Sequence, residues 1–265
     1  MRDLFVPTKN TVVADEASER ALATRKILLI NGRPGRGKTA WAHERAKRRG
    51  AVYVRLYSHW SLRMALQGIL RDILQVHVGL FSIDRLVARL WEGLCELPGI
   101  EHELLVDEAD YLLLPQLRRL LFILRDGFDS GYCLPTLISI EGLAHKLDAP
   151  ESGLYEAVKS RLSERVTFRD CSSADARSLA EKLVEGTVLA PDLVDDLLRI
   201  ARGSLRSLMT SLAGVEQIAQ AAEVKRVDLA TYRRLLALTS GSTVAVESDH
   251  GAPSLVEVAR KAAVA

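Results

Sequence analysis

Residues 26–49, KILLINGRPGRGKTAWAHERAKRR, join an apolar run, a glycine-rich octet and a charged amphipathic stretch. The octet, GRPGRGKT from Gly32 to Thr39, matches the pattern G-x-x-x-x-G-K-[ST]. Glycines at both ends let the backbone curl without Cβ clashes, so that successive N–H groups converge on phosphate oxygens. Lys38 can then reach the β- and γ-phosphates, and the Thr39 hydroxyl can ligate Mg²⁺. The flanks suit this reading: Ile27–Asn31 has the texture of a buried strand, and Lys38–Arg49 that of a helix whose positive N-terminus faces the same phosphates. The whole set Gly32, Arg33, Pro34, Gly35, Arg36, Gly37, Lys38, Thr39 and Ala40 is therefore a candidate nucleotide cradle. ATP and Mg²⁺ are the expected cofactors.

A second chemical feature lies 68 residues beyond Thr39, where the short apolar run Glu103–Val106 ends in Asp107 and Glu108. A carboxylate at a strand end beside a phosphate loop can hold the hydration shell of Mg²⁺, the role expected of Asp107. Glu108, pointing differently, can polarise an attacking water. Two acids in this order favour hydrolysis over transfer to a small-molecule acceptor.

Between these features apolar and amphipathic stretches alternate, the pattern of a parallel sheet wrapped by helices. Strands are expected at Ile27–Asn31, Ala51–Leu56, Glu103–Val106, Leu134–Ile140 and Val166–Phe168. Helices are expected at Lys38–Arg49, Leu62–Gln75, Ile83–Glu96, Leu117–Asp126 and Leu154–Ser163. After Asp170 the texture changes to helix starts and amphipathic runs with no strand-like segment. The expected organisation is an α/β ATPase domain over 1–170, a small all-helical lid over 171–238, and a tail over 239–265 with a short amphipathic segment at Leu255–Val264.

Of the 265 residues, 48% are hydrophobic and 26% charged, which excludes a disordered chain. No apolar run approaches the ~20 residues of a membrane span. Met1–Asn10 lacks the features of a signal peptide, so a cytoplasmic location is expected. Cys95, Cys133 and Cys171 show no metal-binding or disulfide spacing and read as buried reduced thiols. His59 and His145 have no catalytic partner in the sequence, and Trp41 and Trp60 read as packing residues. The net charge of +2 neither requires nor excludes a nucleic-acid partner.

From about Thr8 to Leu238 the chain resembles the AAA+ ATPases. Beyond the loop and the acid pair, Lys159-Ser160-Arg161-Leu162 looks like the family's arginine-finger box. The resemblance implies that Arg161 reaches a nucleotide held by a neighbouring subunit; Arg165 is the alternative. Gly203-Ser204-Leu205-Arg206 resembles the sensor-2 pattern, which implies that Arg206 couples the lid to the phosphates. Ser139 stands where the sensor-1 residue is expected, with Glu141 as a rival.

Within that family the chain is similar to the MuB-, TniB- and TnsC-type target-selection ATPases of transposable phages and transposons. The residues that carry this are VYVRLYSHWSLRMALQGILRDIL (52–74), DEADYLLLPQLRRLLFILRD (107–126) and SRLSERVTFRDCSSADARSLAEKL (160–183). The resemblance implies self-assembly into ATP-bridged rings or filaments on duplex DNA without sequence preference, a transposase partner, and no membrane partner. The alternative is an AAA+ ATPase that remodels or scaffolds a protein complex. Candidate DNA contacts are Arg63, Arg71, Arg118 and Arg119, and Lys225, Arg226, Arg233 and Arg234 form another basic group. Residues 171–240 carry nine basic and nine acidic side chains, so the helical region as a whole is no cationic platform. The basic run Arg45, Lys47, Arg48 and Arg49 suits a helix C-terminus and needs no ligand to explain it.

Overall fold

A computed structural model of the chain describes residues 1, 4–74, 79–96, 102–112, 114–148 and 156–239. The chain separates into two compact units, one of Asn10–Arg169 and one of Met1–Lys9 with the chain from Asp170 onward.

The first unit runs α1 (Lys9–Ala23, whose first residue falls in the other unit), β1 (Ile27–Gly32), α2 (Lys38–Arg49), β2 (Val52–Arg55), α3 (Leu62–Leu74), α4 (Ile83–Glu96), β3 (Glu103–Asp107), α5 (Leu114–Asp129), β4 (Leu134–Ile138), α6 (Glu141–Asp148), α7 (Glu156–Lys159) and β5 (Leu162–Phe168). The five strands form one parallel sheet in the order β2-β3-β4-β1-β5. β1, β3 and β4 are buried at every position, as mainly apolar strands covered on both faces must be. One face packs on α3, α4 and α5 through Leu66, Leu70, Leu86, Leu90 and Leu120, and the other on α1 and α2 through Ala14, Ala17, Trp41 and Ala42. Trp91 of α4 lies so close to Gly127 of α5 that a Cβ there would sit 2.3 Å from the indole.

The second unit contains α8 (Ser173–Leu183), β6 (Val188–Leu189), α9 (Pro191–Ile200), α10 (Leu205–Ala221), β7 (Arg226–Val227) and α11 (Leu229–Thr239). Ser172 and Ser204 cap α8 and α10 through their hydroxyls, and Pro191 opens α9. The helices enclose a core of Leu179, Leu193, Leu197, Leu208, Leu212 and Val215. β6 and β7 pair in parallel over two residues, a small ladder where no strand was expected. The N-terminal segment joins this unit because Val6 packs into its core, the Met1 amino group pairs with Glu216 at 2.6 Å, and Lys9 N–H donates to Asp175.

Other differences from the sequence reading have physical causes. α1 was unforeseen because its buried face is Thr11, Ala14, Ala17, Ser18 and Ala21, too small and polar to stand out as an apolar stripe. α6 was also unforeseen. The helix expected over Leu154–Ser163 is confined, among the described residues, to α7, and β5 starts at Leu162. β5 is an edge strand, so it tolerates Glu164 and Arg165, which pair with Arg20 and Asp148. Cys133 is buried as expected, but Cys95 is exposed and Cys171 intermediate. The segment Leu255–Val264 lies outside the described residues. None of the described helices is long and apolar enough to cross a membrane.

The basic end of α2 does more than suit a helix dipole. Arg45 is buried, and its Nε donates to both Glu103 carboxylate oxygens at 2.9 Å while one terminal nitrogen donates to Glu19 at 3.0 Å. Ser18 also donates to Glu103, Arg48 donates to Asp15, and Arg49 pairs with Glu19. Trp41 is fully buried, with its indole N–H on Asp15. α1 is thereby pinned across α2 and β3.

Candidate nucleotide site

All five strands point their C-terminal ends to one edge of the sheet, where loops of open α/β sheets gather ligands. β1 delivers the glycine-rich loop to that edge. Gly32 holds φ +142°, and a Cβ on it would meet the Phe168 carbonyl oxygen at 2.6 Å, so sheet pairing with β5 requires glycine here. Gly37, at φ 96°, precedes α2 as its N-cap and offers no side-chain cap, leaving the first-turn N–H groups for an anion. Within the loop Arg33 and Pro34 are exposed, Gly35 is left-handed and Arg36 is buried; Ala40 is exposed on the first turn of α2. Lys38 is also buried, its ammonium donating to the carbonyls of Gly32 at 2.6 Å and Arg33 at 3.2 Å.

The acids at the end of β3 differ in environment. Asp107 is buried and accepts three hydrogen bonds: Thr39 Oγ1 at 2.8 Å and Tyr53 Oη at 2.9 Å on one oxygen, and the Glu108 N–H at 2.9 Å on the other. Glu108 sits at φ 57°, a conformation that costs a non-glycine residue about 1 kcal/mol or more and is concentrated at functional sites. Burial, and then the neighbouring charge of Asp107, push its carboxyl above the usual range, while Arg55, 3.4 Å away, opposes the rise. Burial, followed by the same Asp107 charge, raises the Tyr53 phenol, which keeps it a donor.

The described residues contain no cluster of three or more His, Cys, Asp or Glu side chains able to hold a metal. The site instead places one hydroxyl and one carboxylate together beside the glycine-rich loop. That donor set fits Mg²⁺, which takes few protein ligands and shares the rest of its shell with phosphates and water.

Ser139, just past β4, is buried, and its hydroxyl donates to the Ile140 carbonyl at 2.7 Å while its N–H donates to Ile30 of β1. The side chain of Glu141, its rival, is outside the described residues. Arg161 is held side-on by Asp129, at 3.0 Å and 2.8 Å, and also donates to Ala157 and Ser160. Its guanidinium keeps the Asp129 carboxyl below the usual range. Arg165 is held end-on by Asp148, whose two carboxylate oxygens accept from its two terminal nitrogens. Arg206 lies in the second unit, exposed on the first turn of α10 behind the Ser204 cap.

Of the candidate DNA contacts, Arg63 and Arg119 line one cleft of about 370 Å³ between the starts of α3, α4 and α5. Arg63 also donates to the Phe81 carbonyl. Arg118 lies over the Phe122 ring at 5.4 Å, and Arg71 pairs with Asp72 at 3.5 Å. Lys225, Arg226, Arg233 and Arg234 are exposed in the second unit.

Tyr53, Arg55 and Asp110 belong to the neighbourhood and escaped the sequence reading. Asp110 accepts the Ile140 N–H at 3.2 Å, tying the turn after β3 to the end of β4, and burial raises its carboxyl. The one available signal for Tyr53 and Arg55 was their i, i+2 spacing on a strand, which places both on one face.

No protein-family model matches the sequence, and no curated protein matches it. Solved structures do resemble it. The ORC1 protein of Aeropyrum pernix, solved in complex with DNA, is 21% identical with a TM-score of 0.58; the likeness covers 88% of this chain and 66% of that one, just under two thirds of its length. The Walker-type ATPase of Pyrococcus abyssi is 16% identical with a TM-score of 0.60, covering 90% of this chain and 73% of that one. The RuvB Holliday junction branch migration motor of Thermotoga maritima is 14% identical with a TM-score of 0.56, covering 88% and 70%. At these identities the likeness concerns the fold. The fold is that of a P-loop ATPase, a parallel sheet flanked by helices, and the chain adds a small, mostly helical unit.

Proposed function

We propose that this chain is a DNA-binding AAA+ ATPase that self-assembles on duplex DNA with ATP at the joints between subunits, hydrolysis driving disassembly. In its finer form the reading makes it a transposition accessory factor that selects target DNA and activates a transposase. The observation that carries the ATPase part is the Thr39–Asp107 hydrogen bond, which brings two motifs 68 residues apart to one point beside the phosphate loop. DNA binding is supported by the fold's likeness to a protein solved on DNA and to a branch migration motor.

The chemistry follows from the residues. Loop N–H groups and Lys38 bind and orient the triphosphate; to do so, Lys38 exchanges the Gly32 and Arg33 carbonyls for phosphate oxygens. Thr39 and Asp107 would hold Mg²⁺, which would supply neutralisation of charge on the phosphate oxygens. Glu108, its carboxyl raised and its backbone constrained, takes the proton of the attacking water. Arg161, released from Asp129, supplies positive charge to a neighbouring subunit's nucleotide, and Arg206 couples the helical lid, over 171–238, to nucleotide state. Ser139 senses the phosphates from the end of β4.

Filter binding to duplex DNA, with and without ATP and across a salt series, tests the reading. ATP-stimulated binding that weakens with salt is expected. ATP-independent binding, or none, overturns it.

A further inference from the structure

Asp107 is gripped from three directions, and only two of them belong to recognisable motifs. Thr39 comes from the loop and the Glu108 N–H from the acid pair itself. The third donor, Tyr53 Oη at 2.9 Å, comes from β2, a four-residue edge strand with no motif of its own. β2 pairs with β3 so that Tyr53 faces Leu105, and the phenol leans along the strand to reach Asp107.

The ring is itself placed by the phosphate-loop helix. His43 lies one turn beyond Thr39 on α2, and its ring packs against Tyr53 with centroids 4.1 Å apart. Residues i and i+4 of a helix share a face, so α2 holds Asp107 twice: directly through the Thr39 hydroxyl and indirectly through His43 and Tyr53. The two routes end on the same oxygen, Oδ2.

We infer that Tyr53 is a positioning residue for Asp107, holding its carboxylate in the orientation that receives Mg²⁺ with the nucleotide. The inference rests on the reading of Thr39 and Asp107 as the Mg²⁺ site. Without the phenol, Oδ2 keeps only the Thr39 hydroxyl, a group that must also serve the metal. The carboxylate then loses its side-chain partner on Oδ2 that is independent of nucleotide chemistry, and the Glu108 N–H holds only the other oxygen. Supports of this kind around metal ligands typically contribute 10-fold or more in metal affinity, roughly.

The test is equilibrium binding of a fluorescent ADP analogue to the full chain, in EDTA and across a Mg²⁺ titration, for the parent and Tyr53→Phe. The phenylalanine keeps the ring against His43 and removes only the hydroxyl. The expected result is a Mg²⁺ midpoint raised roughly 10-fold, with Mg²⁺-free affinity within about twofold of the parent. An unchanged midpoint overturns the assignment, as does an equal loss with and without Mg²⁺, the mark of a general packing role. If the parent itself shows no Mg²⁺-dependent binding, the site reading falls, and this assignment with it. Should Tyr53→Phe not fold, His43→Ala carries the test, because it loosens the ring without removing any atom bonded to Asp107. A midpoint raised about twofold or more supports the inference, and no shift overturns it.

Discussion

Arg45→Met tests what holds α1 against the nucleotide helix. The Arg45 side chain is 2% exposed and that of Glu103 6%, so the pair is desolvated. Arg45 supplies Glu103 with two hydrogen bonds, and Ser18 supplies one more. Methionine retains most of the aliphatic volume but leaves Glu103 as a buried charge with a single neutral donor. Breaking a buried pair in this way costs about 3–5 kcal/mol, whereas replacing both partners with apolar residues of similar size is often close to neutral. The single variant is therefore expected to lose about 3–5 kcal/mol, and Arg45→Met with Glu103→Leu to stay within about 2 kcal/mol of the parent. At roughly 2–4 °C per kcal/mol for a unit of this size, the single variant should melt about 6–20 °C lower. Trp41, Trp60 and Trp91, all three tryptophans of the chain, lie in the Asn10–Arg169 unit. Tryptophan fluorescence during urea or thermal unfolding thus reports on that unit without interference from the other. A single-variant loss below about 1 kcal/mol, or a double variant as unstable as the single, would refute the claim that an uncompensated charge is the cause.

Four further outcomes are expected. Lys38→Ala should weaken binding of a fluorescent ATP analogue by roughly 10–100-fold, since a charged donor to the phosphates is lost. Glu108→Gln should bind ATP like the parent yet hydrolyse it about 10²–10⁴-fold more slowly, trapping assemblies on DNA visible by electron microscopy; retained turnover removes Glu108 from the base role. Gly32→Ala should lower stability by about 2 kcal/mol or more and abolish nucleotide binding, because its Cβ would collide with the Phe168 carbonyl; calorimetry and nucleotide titration check both. Maleimide labelling followed by mass spectrometry should modify Cys95 in the native protein but Cys133 only in urea, since burial pushes the Cys133 thiol up to about 12.

What the sequence made legible was local. α2 and α4 have the bounds read from sequence, the first because Gly37 and a left-handed Gly50 frame it, the second because Leu86, Leu90 and Leu94 mark one face. The loop and the acid pair were legible because their spacing is written in consecutive residues. α1 was hidden by a buried face of alanine, serine and threonine whose value lies in fitting closely against Trp41. The partners of each acid were hidden for another reason: Tyr53 and Asp107 are 54 residues apart, and only strand order brings them together. Arg161 was legible as a residue, but its engagement by Asp129 was not, because a pairing across 32 residues has no sequence pattern.

The pairing of β2 with β3 acts as a frame of reference. Its register sets Tyr53 opposite Leu105 and Arg55 opposite Asp107, with Tyr53 on Asp107 and Arg55 on Glu108. Side chains alternate along a strand, so a slip of one residue would turn Val54 and Leu56 toward the acids and both polar residues away. A single insertion or deletion in the turn at Gly50 and Ala51 could therefore disarm the acid pair while leaving every motif residue in place. An alignment scored on motifs alone would not see the loss.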